Sequence, residues 1–245
     1  ELPPIKIWEY KTKENDGSTI LHFAILYNNT KIISRIIKYS QHFLSQLDFI
    51  NFINKKNKAG IIPIHYASYK GNVKIIDLLI TCGSEVNTKT EKLLNVIHYS
   101  CQGNNPNCLL YYSLKYDFDF NLPDKRNSTP LHWACYSSAY ECVTFLLQKN
   151  VNLNTQDIEG NTPLHLTIMG GMSKIVRLLL QKGSSIDIKN ISGLTPLQYA
   201  LKEKRIEIYN IILTNKKWAL CNLKAPAKKI TKSKNNLQLF PISQY

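Results

Sequence analysis

A seven-residue phrase returns in this chain at a fixed interval, and that interval limits the possible folds more than any other feature of the sequence. Ser128-Thr-Pro-Leu-His-Trp-Ala134 recurs as Asn161-Thr-Pro-Leu-His-Leu-Thr167 and as Leu194-Thr-Pro-Leu-Gln-Tyr-Ala200, so its fifth position falls at 132, 165 and 198, 33 residues apart each time. Weaker copies, Asn95-Val-Ile-His98, Ile62-Pro-Ile-His65 and Thr19-Ile-Leu-His22, extend the series back to positions 98, 65 and 22. The first interval is 43, which places ten extra residues between Ile36 and Lys58. A unit of this length cannot bury an apolar face alone and must stack on copies of itself. The chain therefore divides into an N-terminal extension (1–15), six units across 16–215 and a C-terminal tail (216–245).

Each unit carries its own start and stop signals. Thr129, Thr162 and Thr195 stand before Pro130, Pro163 and Pro196: an N-cap residue, then proline at the first helical position, where its missing N–H costs nothing. Downstream, Val143-Thr-Phe-Leu-Leu147 and Ile175-Val-Arg-Leu-Leu-Leu180 predict a second, more apolar helix ending at Asn150 or Gly183, residues that tolerate a left-handed backbone. Gly17, Gly60, Gly160 and Gly193, with Asn127 as their substitute, mark a projecting turn before the next hairpin. The third unit has Leu93 at this place, and its loop is expected to differ. The fold expected is all-α, a right-handed stack of six helix hairpins with projecting loops. Turn, Thr-Pro-Leu-His and Leu-rich second helix together resemble the ankyrin repeat family, which implies protein binding through the groove and loop tips.

The reactive side chains follow the same register. Five of the six histidines occupy the marker position, and one residue per stacked unit makes a ladder rather than a converging ligand set, so no metal site is predicted. Cys101 pairs with Cys135 in repeat position, and Cys108 with Cys142; all four read as small buried hydrophobes, and the six cysteines as reduced thiols. The residue after the marker is Phe23, Tyr66, Tyr99, Trp133, Leu166 or Tyr199, with Tyr27, Tyr69 and Tyr136 one helical turn on. This aromatic column admits two readings, core packing and anchors for a bound peptide. On the second reading Tyr66, Tyr69, Tyr99, Trp133, Tyr136 and Tyr199 are candidate partner contacts, joined by the loop residues Lys125, Arg126, Asn127 and Ser128. Phosphate loops, spaced carboxylate pairs and Cys–His pairs outside the repeat register are absent from the sequence, so no catalytic residue or cofactor is predicted.

Charge enters last. The chain holds 31 basic and 17 acidic residues, for a net charge of +14, yet only four of the basic residues are Arg, the better partner for phosphate and guanine. A nucleic-acid-binding role therefore rests on charge alone and is disfavoured. The tail has seven lysines and no acid; Lys224, Lys228, Lys229, Lys232 and Lys234 are candidates for contact with an anionic membrane surface. No apolar run is long enough to span a bilayer, and the start at Glu1 rather than Met leads us to expect a piece of a larger protein. Asn127-Ser-Thr-Pro-Leu-His-Trp-Ala134, Asp157-Ile-Glu-Gly-Asn-Thr-Pro-Leu-His165 and the basic stretch with Cys, Pro and Lys after the last unit resemble, over about residues 57–235, the cytosolic ankyrin region of the DHHC-type palmitoyltransferases. That resemblance implies a region that recruits substrate proteins through short extended peptides at the cytosolic face of a membrane, with Asn127 and Trp133 as peptide contacts. The S-palmitoyltransferase active site would lie outside this chain, which lacks the Asp-His-His-Cys motif.

Overall fold

The computed structural model describes residues 16–224, and side chains as far as 216. The extension 1–15 and the tail positions Lys228, Lys229, Lys232 and Lys234 lie outside the described residues, as does the side chain of Lys224. Thirteen helices and no strand are found among the described residues. The first unit holds α1 (Ile20–Leu26), α2 (Thr30–Phe43) and α3 (Gln46–Ile53); the second α4 (Pro63–Lys70) and α5 (Val73–Thr81); the third α6 (Val96–Gln102) and α7 (Pro106–Lys115). The fourth holds α8 (Pro130–Tyr136) and α9 (Tyr140–Leu146), the fifth α10 (Pro163–Met169) and α11 (Ser173–Gln181), and the sixth α12 (Pro196–Lys202) and α13 (Ile206–Lys224). First helices pack in one row, α1, α4, α6, α8, α10 and α12, and α5, α7, α9, α11 and α13 pack in a second row behind it.

The register of the sequence is the register of the core. The residue before each histidine marker, Leu21, Ile64, Ile97, Leu131 and Leu164, is completely buried, as are Ile33, Ile76, Leu109, Val143 and Val176 on the second helices, while Leu197 in the last unit is partly buried. Within each hairpin the chain reverses through one residue of positive φ, Asn28, Gly71, Asn104, Ser138, Gly171 or Lys204, each six positions after its marker. The ten extra residues of the first unit lengthen α2 and add α3, whose Phe49, Phe52 and Ile53 enter the core. Asn54 then ties α3 to the second unit, donating from Nδ2 to the Gly83 carbonyl (2.8 Å) and accepting from the Glu85 N–H at 2.8 Å. At the other end α13 passes Lys216 and continues to Lys224, so the segment read as tail begins inside a helix.

The projecting loops join one another by a single backbone hydrogen bond per junction: Lys58 N to Asp16 O, Glu91 N to Ala59 O, Lys125 N to Lys92 O, Ile158 N to Arg126 O and Ile191 N to Glu159 O, all 2.8–3.0 Å. The turn residue must bring its backbone close to the next loop. At Gly160, with φ +71, a Cβ would stand 2.8 Å from the Ile191 nitrogen. The third loop keeps the same shape despite its leucine, for Leu93 adopts φ +61 and Lys92 still accepts from Lys125. A non-glycine residue held left-handed is strained, by about 1–2 kcal/mol for an ordinary side chain.

Two stability changes follow. Leu93 is 46% exposed and so loses little packing on replacement, and Asn tolerates positive φ, as Asn127 does at φ +58; Leu93→Asn is expected to stabilise the chain by about 0.5–1 kcal/mol in urea denaturation. Leu164→Ala is expected to cost about 2–5 kcal/mol and to lower hydrogen-exchange protection most in the fourth to sixth units, because coupling in a linear stack is nearest-neighbour. Uniform loss along all six units would contradict that linear coupling.

Candidate functional site

The marker histidines hold the stack together. In four units Nδ1 accepts from the backbone N–H three residues earlier, at Thr19, Ile62, Thr129 and Thr162 (3.1–3.2 Å). Accepting at Nδ1 places the proton on Nε2. That Nε2 donates to a carbonyl beyond the unit's second helix: Ile61 for His22, Thr88 for His65, Asn161 for His132 and Leu194 for His165, at 3.0–3.1 Å. His98 departs from the pattern: its Nδ1 lies 2.7 Å from Asn95 Oδ1, an acceptor to which it donates, and its Nε2 is buried without a partner. Gln198, at the sixth marker, supplies the same cap by accepting from Thr195 N at 3.0 Å. Burial holds all five imidazoles below their ordinary pKa of 6.5, His65 and His98 down to about 4. Cys101, Cys108, Cys135 and Cys142 are buried, and burial pushes the thiols of Cys108 and Cys135 up to about 12.

The aromatic column does two jobs. Tyr66 sits edge-on to the imidazole of the preceding unit's His22 (6.0 Å between ring centres), Tyr99 lies against His65 (5.1 Å) and Tyr199 against His165 (5.8 Å). These rings shield the histidines from water, and Tyr99, only 8% exposed, offers no open surface. Tyr66, Tyr69 and Tyr199 are half-buried, and the Tyr69 carbonyl accepts from Asn105 Nδ2 at 2.6 Å. Contact between residues 34 or 44 apart is a property of the stack, so this second role was not readable from one unit.

The column opens at the junction of the fourth and fifth units into a cleft of about 350 Å3. Trp133, Tyr136, Leu166 and Met169 form its apolar wall, and Asp124, Arg126, Ser128, His132, Asp157 and Glu159 complete it. Trp133 is half-buried and fixed in place, since its Nε1 donates to Asp124 Oδ2 at 3.0 Å. The other Asp124 oxygen accepts from the backbone N–H groups of Arg126 and Ser128, both at 2.8 Å, which shapes the loop above the ring. Tyr136, 61% exposed, stands edge-on to the indole with ring centres 6.4 Å apart. Among the predicted loop contacts, Lys125 and Asn127 are exposed but do not line the cleft. Arg126 pairs with Glu159 of the next loop, and Asn127 Nδ2 is engaged with the Gln156 carbonyl at 2.7 Å. Asp124, Asp157, Glu159 and Met169 were missed in the sequence. The available signal was the register, since Asp124 and Asp157 hold the first loop position, nine residues before Trp133 and Leu166.

A family model for ankyrin repeats matches the chain in three copies, over residues 7–90, 64–157 and 148–224. The chain belongs to the ankyrin repeat family. Its fold is similar to the crystal structure of the ankyrin repeat domain of Bcl-3, with a TM-score of 0.63 and 22% identity over 82% of this chain and 87% of that one. In sequence it is 32% identical to Alpha-latrotoxin-Lg1a of Latrodectus geometricus over 49% of its own length and 8% of the toxin's. It is 26% identical to the B-cell lymphoma 3 protein homolog of Mus musculus over 57% of its length and 31% of that protein's. It is 27% identical to Palmitoyltransferase AKR1 of Kluyveromyces lactis over 59% and 18%. The chain spans less than a third of the length of each of these curated relatives.

The buried imidazoles set the acid response of this ankyrin stack. Their folded-state pKa lies below the unfolded value of about 6.5, so as pH falls from 6.5 toward 4 the unfolded chain takes up protons that the fold refuses, and stability is lost. Each such group contributes a slope of up to about 1.4 kcal/mol per pH unit in that window. Urea midpoints measured between pH 7 and 4.5 should fall steadily. His65→Gln, which keeps a capping acceptor as Gln198 does, should flatten the curve; an unchanged slope would remove His65 from the set of titrating groups.

Proposed function

We propose that this chain binds a partner protein through the face formed by its first helices and projecting loops, with an extended segment of the partner lying over the Trp133 cleft. Ankyrin repeats are protein-interaction modules, and the fold supplies the surface. The observation that carries the reading is the preset wall at the fourth and fifth units: an indole already held by Asp124 beside an exposed tyrosine. Rigid aromatics at a cleft bind with little ordering cost, because their conformational freedom is already spent.

A second reading is supported by the similarity to Palmitoyltransferase AKR1 over 59% of this chain. It makes the same surface the substrate-recruiting part of a longer acyltransferase, whose active site would lie in another segment. The two readings share the groove and differ in what the captured protein undergoes, so S-acylation of that protein by the parent chain separates them.

Tyr136 is the cleaner probe of the groove, because truncating Trp133 also strips the Asp124 carboxylate of a donor and so costs stability. Tyr136→Ala should weaken partner binding by about 1–2 kcal/mol while shifting stability by less than about 0.5 kcal/mol. The check is to compare the proteins retained by the immobilised wild type and variant, alongside their thermal melts. Equal retention by both would place the partner elsewhere on the stack.

A further inference from the structure

The cleft has a chemical preference that the rest of the chain does not share. Against a net charge of +14, its lining holds three carboxylates, Asp124, Asp157 and Glu159, and one cation, Arg126. His132 is kept neutral near pH 7 by burial and is already engaged at both nitrogens. Two of the carboxylates are committed. Asp124 accepts from three N–H groups, one of them the indole, and Glu159 is paired with Arg126.

Asp157 is the exception, and the repeat register shows why. It holds its loop as Asp124 does, with Oδ1 accepting from Glu159 N at 2.9 Å and Asn161 N at 2.8 Å. The residue nine positions on is Leu166 rather than a tryptophan, so no indole N–H comes back to it. Its Oδ2 takes no hydrogen bond among the described residues, and Asp157 lines the cleft a unit away from the Trp133 ring. An uncompensated carboxylate oxygen, an aromatic wall and an apolar floor of Leu166 and Met169 complement a planar cation carried on an apolar stem.

We propose that the Trp133 cleft takes an arginine side chain from an extended partner segment, its guanidinium on the indole and against Asp157 Oδ2, with a neighbouring apolar residue on Leu166 and Met169. This rests on the partner-binding role proposed above and names the chemistry of its ligand. A volume of about 350 Å3 accommodates a long side chain with its neighbour and not a folded surface. Loss of the charge alone is the discriminating change, and the loop permits it. Asn190 and Asn57 stand at the same loop position and accept the same pair of backbone N–H groups, so Asp157→Asn keeps the turn.

The test uses the full chain, N-acetyl-Arg-Leu methylamide, and two matched probes in which Arg is replaced by citrulline, equal in shape but neutral, or by Glu. The readout is the Trp133 indole N–H resonance, assigned by its loss in Trp133→Phe. The arginine probe should shift it saturably with a midpoint about tenfold below that of the citrulline probe, the Glu probe should bind more weakly still, and Asp157→Asn should raise the arginine midpoint about fivefold. Equal midpoints for arginine and citrulline, or no change in Asp157→Asn, would overturn the cation preference while leaving partner binding intact. Failure of all three probes to move the indole would overturn the arginine assignment, whereas binding of a partner over this cleft falls only if the Tyr136→Ala comparison also shows no loss, which would place the partner elsewhere on the stack. A synthetic peptide of residues 225–245 that outcompetes the arginine probe would assign the cleft to this chain's own lysine-rich segment and overturn the assignment to a partner.

Discussion

The hydrogen bond from a buried imidazole to a carbonyl beyond its own hairpin is the interaction on which this molecule depends. It is made by His22, His65, His132 and His165, and in each case the same ring caps its own helix through the other nitrogen. One side chain thereby fixes the start of a helix and the path of the chain that leads to the next. Two requirements follow, a neutral ring and protection from water. At His22, His65 and His165 the aromatic residue of the following unit meets the second requirement by lying against the imidazole. The groove face is built outward from that ladder, and the loops are aligned by their own row of backbone hydrogen bonds.

What could be read in advance, and what could not, divides along the distance over which each interaction acts. Thr-Pro pairs, turn glycines and the residue before each marker act within one unit, and they place the helices, the turns and the buried residues without reference to any neighbour. The length of the insertion between the first two units was evident from the interval, but its use was not. Phe49, Phe52 and Ile53 have to find a face of the stack before α3 has a reason to form. Leu93 is the opposite case: local preference argued for a different loop, and the backbone bond from Lys125 to Lys92 outweighs that preference. Tyr112 is a further example, a tyrosine buried in the core because Ser68, 44 positions earlier, meets its hydroxyl at 2.7 Å.

The candidate site was legible in its position and only partly in its chemistry. The column of rings could be drawn from the register, but the share of each ring already used for internal shielding depends on the stacked neighbour. Tyr99 is spent entirely in this way, and Tyr136 hardly at all. The acids of the cleft were passed over because each first appears as a turn-former in its own loop. Their second role depends on whether a tryptophan or a leucine stands on the helix that follows.

The four buried thiols of the third and fourth units give the molecule an internal clock. Burial disfavours the thiolate, the only form that reacts readily, in Cys101, Cys108 and Cys135. An alkylating reagent therefore waits for the packing between neighbouring units to part before it can act on them. The rate at which these sulfurs are consumed scales with how much of the time the middle of the stack stands open. Chemical sensitivity in this region is thus a measure of mechanical cohesion between adjacent hairpins.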